Sequence, residues 1–251
     1  MLNSYIAHKL GELSHDSIHA EFRKAMKDIF TASSKISEAQ FQEILRLYAM
    51  DLNASQIAEL VNLNRNTVNR YIMAIRRKVA LHCHRGCYFH WKIDSSTIEN
   101  IKGIKGRNPS RYNTVICLLE EQGCVYTEIV PARLTALMQA IMRRKVRADS
   151  VLDAIGLQKC KAIADLNSKR IFRVQSDEAE DNVRRTTIIP VDRFWGTFKQ
   201  RLVKMRGINR SYLPYHLKEC EFRFNNAQQE IFTLLQALVG QDMASSLDKG
   251  N

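Results

Sequence analysis

The sequence has no apolar run of the about 20 residues needed to cross a bilayer, which argues against a membrane-spanning chain. Its first residues, "MLNSYIAHKLGELSHDS", lack the long apolar stretch of a secretory leader, so the expectation is a soluble, intracellular protein that engages no membrane. It also lacks paired Cys-x2-Cys knuckles, which leaves "HCHRGCYFH" (His82 to His90) without zinc-finger spacing. That stretch reads as the polar exit of a helix, and metal binding by His82, Cys83, Cys87 and His90 stays open. The cysteines are scattered (Cys83, Cys87, Cys117, Cys124, Cys160, Cys220), and in an intracellular chain they are expected to be reduced thiols. One place is short of acid: from Arg184 to Arg210, eight basic residues accompany a single carboxylate, Asp192.

What is present points to a folded, basic protein. The 251 residues, 45% of them hydrophobic, suffice for one large domain or a small and a larger one. Net charge is +12. Through His90 there are 12 Lys and Arg against 8 Asp and Glu, and beyond it 26 against 18. Both parts are basic, so no single tail carries the excess. Positive charge spread in this way suits a polyanion partner, usually nucleic acid.

Residues 1–34 read as a loosely amphipathic helical segment with a Ser-rich end, "TASSK", and carry no evident chemistry. Residues 35–88 are more informative. "SEAQFQEILRLYAM" predicts a helix with Phe41, Ile44, Leu45 and Tyr48 on one face and Ser37 as N-cap before Gln40. A short helix from Ser55 to Val61, a tight turn at Asn62-Leu63-Asn64, and a longer helix from Arg65 to Val79 follow. Ala58 is small where two helices approach, and Asn62 tolerates the left-handed conformation the turn needs. Ile57, Val61, Leu63, Val68 and Tyr71 supply a shared core. This is a helix-turn-helix pattern. Its second helix would expose Arg65, Asn66, Thr67, Asn69 and Arg70, types suited to base edges and phosphates of double-stranded DNA.

Residues 89–228 have another rhythm. "HWKID" is a short alternating run ending in Asp94, and "GIKGRNPSR" is a basic loop. "YNTVICLLEEQGCVYTEIVP" is a hairpin. "ARLTALMQAIMRRK" is an amphipathic helix with Leu134, Leu137, Met138, Ile141 and Met142 inside. "SVLDAI" and "SKRIFRV" read as strands. Residues 229–251 form a C-terminal helix and tail. The expected fold is α+β: an N-terminal all-α helix-turn-helix module, a ribonuclease H-like α/β domain of catalytic type, and C-terminal helices.

"VDRFWGTFKQRL" predicts a helix, with Val191, Phe194, Trp195, Phe198 and Leu202 on one stripe. An acid in the first turn after Pro190 is ordinary helix-dipole stabilisation. Lys199 lies seven residues on, at nearly the same azimuth and about 10 Å along the axis. With Gly196 leaving the line between them open, a phosphate can lie beside the acid. In "ECEFRFNN", Leu217, Cys220 and Phe224 share a helical face, and Arg223 can pair with an acid or a phosphate.

The blocks "NTVICLLEEQGCVYTEIVP", "MQAIMRRKVRADSV" and "FWGTFKQRLVKMRGINRSYLPYHLKECEFRFNN" together resemble the ISXO-type insertion-sequence transposases and their eukaryotic Merlin-type relatives, from about Asp94 to Asn226. The resemblance implies a ribonuclease H-like fold with DDE-type chemistry, in which three carboxylates hold two magnesium (or manganese) ions. It implies Asp94 as the first acid, Asp192 as the third and Lys199 as the helix lysine; the basic residues of this helix, Arg201 among them, are expected as DNA phosphate contacts. The family follows its first Asp with Glu, where this chain has Ser95. The family has Glu where this chain has Asp192, and a His-x-Asn-Gly stretch where it reads Thr187-Ile188-Ile189-Pro190. The second acid falls at Ile155 or Gly156 by alignment, with Asp153 two or three residues earlier. Partners so implied are element ends and target DNA, with at least a dimer on DNA. The compartment would be cytoplasm or nucleoid in a bacterium and nucleus in a eukaryote.

Two readings follow. In one, Asp94, Asp153 and Asp192 form the metal site of an active transposase. In the other, the chain is a transposase-derived DNA-binding protein or regulator whose metal site is degenerate.

Overall fold

The computed structural model describes residues 36–84, 115–144, 152, 160–174, 190–204 and 210–247. In chain order their elements are α1 (Glu38–Ala49), α2 (Ala54–Leu60), α3 (Arg65–His84), β1 (Val115–Glu121), β2 (Cys124–Ile129), α4 (Ala132–Met142), β3 (Ala162–Asp165), β4 (Arg170–Arg173), α5 (Pro190–Lys204), α6 (Leu213–Asn225) and α7 (Ile231–Leu247). The class is α+β. The chain forms two compact units, one of Met1–Val79 with Gln228–Asn251 and one of Ala80–Ala227. The C-terminal helix therefore belongs with the N-terminal unit.

In the first unit, local chemistry sets each helix start. Ser37 accepts from the Gln40 N–H at 3.2 Å while the Gln40 side chain accepts from the Ser37 N–H at 3.0 Å. Asn53 and Gln56 repeat this capping box at the start of α2. The chain leaves α2 through Asn62, at φ 52°, a left-handed conformation that Asn adopts at little cost. The Leu63 N–H then closes on the Ala58 carbonyl at 3.0 Å. The Asn64 side chain accepts from the Asn66 N–H at 2.8 Å and starts α3. The core beneath comprises Phe41, Ile44, Leu45, Tyr48, Ile57, Ala58, Val68, Tyr71, Ile72 and Ile75. Val61 and Leu63, expected inside, are half-buried. α7 returns to this unit, where Lys78 Nζ donates to the Val239 carbonyl at 3.2 Å and Gln236 to Gln42 at 3.2 Å.

The second unit is built on one antiparallel sheet of order β2-β1-β3-β4. β1 and β2 are joined by a two-residue turn, Gln122 and Gly123, both at positive φ, as a tight hairpin requires. β1 is central and covered on both sides. Val115, Cys117 and Ile163 face Leu134, Leu137, Met138 and Ile141 of α4. Ile116, Leu118, Ala162 and Ala164 face Val191, Phe194, Trp195 and Phe198 of α5 and Leu213, Leu217 and Cys220 of α6. Two-sided burial explains why β1 reads as a continuous apolar run rather than an alternation.

Three expectations are corrected here. β3 was not foreseen: its four residues, Ala162 to Asp165, are all buried, so no alternation marks them. "SVLDAI" was expected as a strand, but Leu152 is helical and buried beneath α4. Cys117 and Cys160, expected as thiols, form a disulfide with Cα atoms 6.4 Å apart. Cys117 lies opposite Ile163, and Cys160, just before β3 begins, lies in the same buried cluster as both. The expected first strand, ending at Asp94, lies outside the described residues.

Edge strand β2 is closed by side chains of α6. Asn225 clamps Val125 at both ends of its backbone, accepting from the N–H at 2.7 Å and donating to the carbonyl at 2.8 Å. Two residues on, Glu221 accepts from the Thr127 N–H at 2.8 Å and hydroxyl at 2.6 Å, and Lys218 Nζ donates to the Thr127 carbonyl at 2.6 Å. The spacings match. Four helical residues rise about 6 Å, and two strand residues about 6.8 Å. Lys218 also donates to Glu221 at 2.9 Å, and both side chains are buried. Burial pushes the Glu221 carboxyl above the usual carboxylate range, against the pull of Lys218 and the Thr127 donors.

The clamp is testable by Asn225→Leu, which orphans two backbone groups. Each such group costs about 1–3 kcal/mol when buried, so a loss of about 2 kcal/mol is expected for these partly buried ones. Urea unfolding measures it, and a loss below about 0.5 kcal/mol would show that the clamp contributes little.

Candidate functional site

α3 begins with one cation, Arg65, has a second, Arg70, in its next turn, and has no acid in its first turn. Of the five residues expected to face DNA, Arg65, Asn66 and Arg70 are exposed, and Thr67 and Asn69 are half-buried. The Arg70 guanidinium lies 5.5 Å from the centre of the Tyr71 ring. Since Tyr71 is itself buried, this contact ties a mobile cation to the edge of the core.

The second cationic surface is α5. Its apolar stripe is anchored in the core, with the Phe194 and Phe198 rings stacked at 5.9 Å. The opposite side carries Asp192 in the first turn, half-buried, then Gly196 with open space where a Cβ would stand, then Lys199. The Lys199 ammonium lies 5.4 Å from the Trp195 ring centre, which restrains it on the helix surface. The Asp192 carboxylate accepts from the guanidinium of Arg173, the last residue of β4. This pair joins the end of the sheet to the start of the helix.

Arg201, expected on DNA, is turned inward. Its guanidinium donates to Glu219 at 2.9 Å, and the two side chains are 10% and 2% exposed. Arg223 donates to the same oxygen at 3.1 Å, which settles its partner as an acid. The physical reason is the buried Glu219 on α6: an interior carboxylate needs cations within reach, and α5 packs where Arg201 supplies one. Arg201→Gln is expected to lower stability by about 1.5 kcal/mol, the loss of one hydrogen bond to a charged group with Arg223 still neutralising Glu219, and to leave DNA affinity within about twofold. Urea unfolding and a DNA titration of the same variant separate the two, and a large affinity loss at unchanged stability would reverse the assignment.

Of the three acids expected to share metal ions, only Asp192 is among the described residues. Asp94 and Asp153 lie outside them, and no group of three or more His, Cys, Asp or Glu is positioned for a metal among those described. Asp165 does not substitute. It is buried at the end of β3, opposite Arg170, and its carboxylate accepts from the Asn167 N–H at 2.9 Å to close the turn. Arg173, which holds Asp192, lies opposite Ala162 at the other end of the same strand pair, about 10 Å away. Of the proposed His and Cys ligands, Cys83 is buried with its thiol donating to the Lys218 carbonyl at 3.6 Å, and His82 meets the Phe222 ring edge-on. Cys87 and His90 are outside the described residues.

Sequence reading missed Arg173, which sits in a strand with nothing local to distinguish it from Arg170. It also missed the clamp on β2. The signal was available in the Lys218, Glu221, Asn225 spacing, which places three polar residues on one helical face.

No family model matches the chain, and no solved structure matches it. Among curated proteins it is similar to an uncharacterised transposase-like protein of Haemophilus influenzae, 32% identical over 117 residues, which span 46% of this chain and 93% of that relative. No helix among the described residues is long and apolar enough to cross a membrane. With identity at this level over nearly the whole relative, the chain belongs to a family of transposase-like proteins.

Proposed function

We propose that this protein is a transposase-type DNA-binding protein that recognises element ends through the helix-turn-helix of α2 and α3 and carries out metal-dependent strand cleavage and transfer. The similarity to the transposase-like relative carries this reading. The cationic, outward start of α3 supports the DNA-binding part. Arg65 and Arg70 would meet phosphates and base edges, with Asn66, Thr67 and Asn69 between them. Lys199 on α5 would take a backbone phosphate near the reacting strand. Asp94, Asp153 and Asp192 would hold magnesium or manganese, which when bound supplies Lewis-acid polarisation of the phosphate and an activated nucleophile. Pairing two element ends would require at least a dimer.

A second reading has a specific observation in its favour. The Asp192 carboxylate is engaged by Arg173, a role that needs no metal. With Ile155 or Gly156 in place of the second acid and Ile189 in place of the upstream Asn, this favours a transposase-derived DNA-binding protein without cleavage.

The DNA-binding part predicts that Arg65→Ala with Arg70→Ala weakens duplex binding at least tenfold, since each such contact contributes about 1–3 kcal/mol. Fluorescence anisotropy on duplexes taken from the DNA flanking the gene measures it, and unchanged affinity removes α3 as the recognition helix. For cleavage, the wild type should nick those duplexes with Mg²⁺ or Mn²⁺ and Asp192→Asn should not. Intact DNA binding with no metal-dependent nicking by the wild type decides for the second reading.

A further inference from the structure

Among the described ion pairs of the second unit, Arg173–Asp192 and Lys161–Glu120 are the part-exposed ones, and of these two only Arg173–Asp192 joins the sheet to α5. The Arg173 side chain is 40% exposed and Asp192 25% exposed, whereas Lys218–Glu221 and Arg201–Glu219 are almost wholly enclosed. Among the described residues, neither member has a further polar partner. An exposed pair of this kind is held by a factor of about five or less, so a competing anion can take the guanidinium. The surroundings favour such a competitor. Arg193 is exposed beside Asp192, Gly196 leaves the helix surface open, and Lys199 stands one turn further along. A phosphodiester passing over the Asp192–Lys199 line meets Arg173, Lys199 and one carboxylate. A guanidinium matches phosphate oxygens in a planar two-point contact that an ammonium does not make.

We propose that Arg173 is a shared cation, which neutralises Asp192 in the free protein and passes to a backbone phosphate when duplex DNA is seated on α5. Arg173 is thus a positioning residue. In the free state it removes the repulsion between Asp192 and approaching DNA, and in the bound state it leaves the carboxylate oxygens free. No bond is made or broken beyond the exchange of hydrogen bonds. The inference rests on the DNA-binding reading and does not require that Asp192 ligate a metal.

The test is a double-mutant cycle in DNA binding, with EDTA present so that metals play no part. Wild type, Asp192→Asn, Arg173→Gln and the double variant are titrated with one duplex by anisotropy between about 50 and 200 mM salt. Asp192→Asn should tighten binding about fivefold, because Arg173 no longer has a competing partner. Arg173→Gln should weaken binding and reduce the salt slope by about one, the signature of a lost phosphate contact. In the Arg173→Gln background, Asp192→Asn should gain less than about twofold. Arg173→Lys, which keeps the charge and controls for loss of folding, should restore the slope. An equal gain from Asp192→Asn in both backgrounds, or an unchanged slope in Arg173→Gln, overturns the proposal while leaving the DNA-binding reading intact. No binding by the wild type overturns both.

Discussion

The second unit depends on a buried ammonium–carboxylate pair laid along a strand edge. Lys218 and Glu221 are 3% and 1% exposed, and both reach the backbone of Thr127. An unpaired strand edge invites wrong partners, and here the side chains of α6 stand in for the next strand. Removing one partner would strand a buried charge, so sliding α6 by even one residue is heavily penalised. That fixes where Leu217 and Cys220 meet the core, and they in turn pack with Phe194, Trp195 and Phe198 of α5. The outward side of α5, with Asp192 and Lys199, is a consequence of this register.

Burial divides the ionic contacts of this unit into two kinds. Arg201 and Glu219 are enclosed, and their pairing holds α5 against α6. Arg173 and Asp192 stand at the surface, where water and salt weaken the attraction. The first kind sets geometry and resists exchange. The second can trade partners at small free-energy difference. Two arginines of one small domain, each beside one acid, thus serve different ends because of their surroundings alone.

Much of the fold was legible in the order of residues. The stripes of α1, α4 and α5 repeat every three to four positions, and the Gln122-Gly123 turn marks the hairpin. β3 was not legible, because four residues buried on both faces show no period. Leu152 of "SVLDAI" is helical, and a short apolar run does not distinguish helix from strand. Within the candidate site, Lys199 and Arg201 sit two positions apart in one basic stretch, yet one lies against the Trp195 ring at the helix surface and the other is drawn into the interior by Glu219. Nothing in the local pattern separates them.

The sequence by itself determined what arises within about four residues: the capping boxes at Ser37 and Asn53, the left-handed turn at Asn62, the hairpin turn, and the apolar face of each helix. These are short-range interactions, and their partners travel together along the chain. Only the tertiary structure decided which charges are buried and which acid meets which base. The partners of Arg201, Asp192, Thr127 and Val125 lie 18, 19, 94 and 100 positions away. Contacts over such separations exist only once the sheet and its covering helices have assembled.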